Sequence, residues 1–79
     1  MISAQQVRAA RALLGWSQQT LADRAIVSVN AINRLERGAA DTKASTLFAV
    51  ERALRKAGVE FLAPTKTHGE GVCFSSPPE

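Results

Sequence analysis

The stretch GWSQQTLADRAIVSVNAINRLERG, Gly15 to Gly38, constrains the fold more tightly than any other part of the chain. Ser17 and Ser28 each stand just before a run with helical spacing of apolar residues: Leu21, Ala22 and Ala25 after the first, Ile32 and Leu35 after the second. Serine is a favoured N-cap because its side-chain oxygen accepts from an otherwise unpaired N–H of the first turn. The pattern predicts a short helix over about Gln18 to Ala25, a tight break at AIVS, and a third helix from Val29 to about Arg37, closed by Gly38.

The flanks read as further helices. Ser3-Ala4-Gln5-Gln6 fits the reciprocal capping box, and Val7, Ala10 and Leu14 follow at helical spacing. A first helix is expected over about Ala4 to Leu14, ended by Gly15 in the left-handed conformation. After a loop from Gly38 to Lys43, Leu47, Val50 and Leu54 predict a fourth helix over about Ala44 to Ala57. Arg52, Arg55 and Lys56 near its end complement the helix dipole. Beyond Gly58 the pattern changes: Val59–Leu62 and Val72–Phe74 read as short strands able to pair as a hairpin across a long loop. Ser75 to Glu79, with two prolines, is expected to be a disordered end.

The expected fold class is therefore all-α: a compact domain of four to five helices with a short C-terminal strand or hairpin tail. Residues 1–58 would form the helical domain and residues 59–79 the strand-like extension. With 79 residues the chain holds one core at most, and 46% hydrophobic content is enough to build it. Trp16, Phe48, Phe61 and Phe74 are the only aromatic residues, so the core rests mainly on Leu, Val, Ile and Ala. The net charge of +3 is mildly basic, which favours approach to a polyanion without demanding one. A single cysteine, Cys73, excludes an internal disulfide framework, and there is no secretory or membrane-spanning apolar run. A soluble, cytoplasmic protein is expected.

Two capped helices joined by a tight turn make a helix-turn-helix. In that arrangement the second helix of the pair lies in the DNA major groove and the first crosses the backbone. Asn30, Asn33 and Arg34 face away from Ile32 and Leu35. Asparagine can bond adenine bidentately and arginine guanine, and Val29 could touch a thymine methyl. The plainer readings are a solvated face and, for Val29, a partly buried first-turn residue. Ser17, Gln18, Ser28, Arg37 and Lys43 are candidates for phosphate contact, although both serines must cap their helices whatever the function. Arg8 and Arg24 read as solvent-facing or structural, and Trp16 as core.

The segment VRAARALLGWSQQTLADRAIVSVNAINRLERG resembles the Xre/lambda-repressor-like (Cro/C1-type) helix-turn-helix family. Val7, Arg8, Arg11, Gly15, Trp16, Ser17, Gln18, Leu21, Ala22, Val27, Ser28, Ile32, Glu36 and Gly38 fall at the family's steps, and TLFAVERAL resembles its next helix. The resemblance covers about Val7 to Gly58. It implies a DNA-binding transcriptional regulator, a Gln18 that contacts backbone and braces the third helix, and an Arg11–Glu36 ion pair between the first and third helices. One position departs from the family pattern: Ile26 stands at the turn residue that is usually glycine. A β-branched residue in left-handed conformation costs about 1–2 kcal/mol, so the turn should be either strained or altered in geometry.

A metal site at His68, Glu70 and Cys73 lacks enough ligands, and no catalytic constellation or cofactor motif is present; neither enzyme activity nor a cofactor is expected. The expected partner is double-stranded DNA, bound as a homodimer. Phe48 lies off the inward stripe and the Val59–Leu62 strand has an open edge, which together would form a self-association surface unless the tail covers Phe48. The regulator is expected to be a repressor or autoregulator. A competing function is a protein-binding module of the same fold, such as an antiactivator or antitoxin-like subunit; a fragment of a larger regulator is a third.

Overall fold

The computed structural model describes residues 2–75. The chain forms α1 (Ala4–Leu14), α2 (Gln18–Ala25), α3 (Val29–Glu36), α4 (Ala44–Lys56), β1 (Val59–Leu62) and β2 (Gly71–Phe74). Four helices, not five, are present among the described residues. Of the expected disordered end, residues 76–79 lie outside the described residues.

The helix starts follow from their serines. Ser3 accepts from the Gln6 N–H at 3.2 Å while the Gln6 side chain accepts from the Ser3 N–H at 3.0 Å, the reciprocal capping box. Ser17 accepts from Thr20 N–H at 3.0 Å and Ser28 from Ala31 N–H at 3.1 Å. The helix at Ala44 has no such cap, since Lys43 precedes it. It keeps only the first-turn backbone bond that the other three helices also make, here from Leu47 N–H to the Lys43 carbonyl at 3.1 Å. Helices α3 and α4 each stop one residue short of expectation. Arg37 and Ala57 are their C-caps, and Gly38 at φ +75° and Gly58 at φ +102° then carry the chain out of the helical path.

One core lies between the helices. Val7 and Ala10 of α1, Leu21 and Ala22 of α2, Ile32 and Leu35 of α3, and Val50 and Leu54 of α4 are all buried in it. Leu14, Trp16, Val27, Leu47 and Phe61 pack on its margin. Burying each large aliphatic side chain contributes about 1.5–3 kcal/mol, so the inward stripes, not the short helices themselves, stabilise the arrangement.

The two strands pair antiparallel, Val59 opposite Phe74 and Leu62 opposite Gly71. Val59, 2% exposed, is part of the same core as the helices. The hairpin is tied at both ends. At its open end Ser75 N–H donates to the Gly58 carbonyl at 2.8 Å. At the loop end Gln6 of α1, a buried amide, donates Nε2 to the carbonyls of Leu62 (3.2 Å) and Gly71 (3.0 Å). The hairpin leaves Phe48 57% exposed on α4, so no described part of the tail covers it.

Candidate nucleic-acid interface

The position of α3 is governed by one carboxylate. Glu36, 4% exposed at the end of α3, accepts from Arg11 Nε at 2.6 Å, Arg11 Nη2 at 2.8 Å and Gln18 Nε2 at 3.1 Å. Its backbone carbonyl accepts from Arg8 Nη1. Arg11 Nη1 reaches on to the carbonyl of Trp16 at 3.0 Å. The result links α1, the start of α2 and the end of α3 through charge-assisted hydrogen bonds. Burial pushes the Glu36 carboxyl up, but the hydrogen bonds from Arg11 and Gln18, with the charges of Arg11 and Arg8, outweigh it and hold it below the usual carboxylate range. The hydrogen bond to Glu36 correspondingly raises the Arg11 guanidinium above its ordinary value. Gln18 thus braces α3, as the resemblance implies. Arg8 and Arg24 are structural: Arg24 places its guanidinium 5.0 Å from the centroid of the half-buried Trp16 ring, a cation–π contact.

The turn between α2 and α3 is strained, with its geometry kept. Ile26 takes φ 57°, ψ 50°, the left-handed region, and its N–H closes α2 on the Ala22 carbonyl. Its side chain is 91% exposed, so no packing offsets the strain. Val27 N–H also bonds the Ala22 carbonyl at 3.0 Å, and the chain enters the Ser28 cap directly.

The polar side of α3 points outward. Ile32, Leu35 and Glu36 are buried, whereas Asn30, Asn33 and Arg34 are exposed and Val29 is at the margin of exposure. Among the described residues the side chains of Asn30 and Asn33 make no hydrogen bond within the protein. Ser28, Asn30, Arg34 and Lys43 are brought together along one open groove of about 320 Å³ between α3 and the start of α4, which Asp41 and Thr46 also line. Ser17, Gln18, Val29, Asn33 and Arg37 lie outside that groove. Ser17 is spent on its cap and on a 3.0 Å bond with the Thr20 hydroxyl, and Arg37 and Lys43 are exposed.

Sequence reasoning missed Asp41. Its carboxylate lies against Arg34 Nη2, forming an ion pair on the exposed face. The Arg34 hydrogen bond and charge hold the Asp41 carboxyl below its ordinary range. The seven-residue separation of the pair spans a loop, so no helical periodicity could have disclosed it.

Among the described residues no group of His, Cys, Asp and Glu gathers that could hold a metal ion, and no helix is long and apolar enough to cross a membrane. Two short capped helices at a left-handed turn, with the second presenting an outward polar face, define a helix-turn-helix domain. The chain belongs to the helix-turn-helix family of Cro/C1, Xre-like type, a family of DNA-binding regulators: that family's model matches residues 7–61. No curated protein matches the chain.

Proposed function

We propose that this chain is a sequence-specific transcriptional regulator that binds as a homodimer, reads the major groove with α3, and represses by occupying its site. The observation that carries the reading is the outward polar face of α3, Asn30, Asn33 and Arg34, fixed from behind by buried Ile32, Leu35 and Glu36. Asn30, Asn33 and Arg34 contact base edges and Val29 a thymine methyl. Ser17, Gln18, Ser28, Arg37 and Lys43 lie along the phosphates, with the free N–H groups of the α2 N-terminus adding to the attraction. Residues 1–58 form the reading unit and residues 59–79 its extension. A cytoplasmic location accords with this role.

Selection of bound sites from a random duplex library tests the proposal. The expected product is a palindrome with half-site centres about 34 Å apart. Four to eight phosphate contacts per dimer should give a slope of log affinity on log salt of about −4 to −7. Recovery of no enriched sequence at low ionic strength would overturn it.

A protein-binding role for the same fold is favoured by one observation, the strained and almost fully exposed Ile26 beside α3. That role predicts retention of a protein partner with little salt dependence and indifference to Arg34→Ala and Arg37→Ala in duplex binding.

A further inference from the structure

Asp41 places a negative charge on a face that the proposed function turns toward phosphates. It is 69% exposed, in the loop between α3 and α4, and it accepts from one nitrogen of Arg34. Ion pairs this open to water add little to folding, so stability does not account for it. Near a duplex the carboxylate also weakens general attraction. Its effect on Arg34 is what remains.

A guanidinium carries five N–H donors in a fixed fork. Asp41 engages Nη2 alone, which leaves Nε and Nη1 uncommitted. Guanine O6 and N7 need two N–H groups from one edge of the fork, and each edge, Nε with Nη2 or Nη1 with Nη2, includes Nη2. Its second N–H completes the edge that Asp41 does not occupy, so the requirement is still met. Released from Asp41, the same side chain would be free to settle on the nearest phosphate, which every sequence offers. A carboxylate beside Arg34 repels a phosphate from that position and leaves a neutral base edge unaffected. It also restricts the rotamers of a long side chain before DNA arrives.

We propose that Asp41 is a positioning and specificity-determining residue, which orients Arg34 toward a guanine edge and keeps it off the phosphate backbone. The proposal rests on α3 reading duplex DNA, and its test separates the two. The full chain is titrated with its selected duplex and with a scrambled duplex of equal length. The proteins compared are the wild type, Asp41→Asn, Asp41→Glu, Arg34→Ala and the Arg34→Ala/Asp41→Asn double variant.

Asp41→Asn should bind the scrambled duplex more tightly and lose about tenfold or more in preference for the selected one. Its salt slope on scrambled DNA should steepen by about 0.9 for each protomer, as Arg34 moves to a phosphate. Asp41→Glu should restore the preference. With Arg34 already removed, Asp41→Asn should shift both duplexes by the same factor. Equal tightening on both duplexes in the presence of Arg34, or an unchanged preference, overturns the proposal while leaving the reading of DNA intact. A wild type that prefers no duplex overturns both.

Discussion

Glu36 holds Arg11 by one edge of its guanidinium, Nε at 2.6 Å and Nη2 at 2.8 Å, across the gap between the end of α3 and the middle of α1. Arg11 spends its remaining nitrogen on the Trp16 carbonyl at the head of α2, and Gln18 adds a fourth bond to the assembly. The angle of α3 is thereby set by buried polar geometry at its end and by Ile32 and Leu35 along its length.

Glu36→Gln should be strongly destabilising. It removes the charge from a buried pair and leaves Arg11 with a weak acceptor. Water reaches part of Arg11, so the cost should fall near the lower limit for breaking a buried pair, about 3 kcal/mol. In a domain of this size that lowers the melting temperature by roughly 12–24 °C. Thermal melts followed by circular dichroism check it; a fall of only a degree or two would show that the pair does not set the position of α3.

The same carboxylate gives a defined pH dependence. Its folded pKa lies below the unfolded value, so its stabilisation is complete above the ordinary glutamate pKa of about 4.3 and is lost as pH falls through the lowered folded value. Urea midpoints should therefore decline on acidification more steeply in the wild type than in Glu36→Gln, with the two curves converging in acid. Parallel curves would place the acid sensitivity elsewhere.

Ile26→Gly should raise the melting temperature. The substitution relieves about 1–2 kcal/mol of left-handed strain and sacrifices no burial. Glycine's extra freedom in the unfolded chain takes back roughly 0.5–1 kcal/mol. Ile26→Asn should gain more, since asparagine tolerates the same conformation without that entropy cost. An Ile26→Asn protein that melts no higher than the wild type would refute the strain.

Gln6→Ala should loosen the hairpin. It strips the shared donor from the Leu62 and Gly71 carbonyls and costs about 1–3 kcal/mol. Amide exchange should speed up most in β1 and β2, with α2 and α3 less affected. Uniform acceleration throughout the domain would mean the hairpin does not open as a separate unit.

Local signals made the helix boundaries legible. Ser3, Ser17 and Ser28 cap through bonds to residues three further on, and Gly15 turns at the place its freedom permits. The inward stripes were equally readable, because helical periodicity exposes them directly. The Arg11–Glu36 pair was accessible only through the family resemblance, since a separation of 25 residues carries no periodic trace. Gln6 was half legible: its capping role is local, but its bonds to carbonyls 56 and 65 residues away depend on where the hairpin docks. Asp41 was not legible, because its approach to Arg34 depends on the path of an irregular loop. Arg8 carries no local signal of its partner, because its bond to the Glu36 carbonyl, 28 residues on, exists only once α1 and α3 are packed.

Phe48→Glu should dissociate the proposed dimer. Phe48 is 57% exposed on α4 and does not line the groove that holds Asn30 and Arg34, so a two-fold interface centred on it need not cover that groove. Covering the rest of the ring contributes about 1 kcal/mol per copy, so losing both copies should weaken association about 30-fold. Glutamate is a good helix former and the position is already half in water, so the fold should survive with a nearly unchanged melting temperature at low concentration. Sedimentation velocity over a dilution series separates the outcomes. A shift of the monomer–dimer transition to higher concentration places the interface on α4, and an unaltered transition moves it to the open edges of the hairpin.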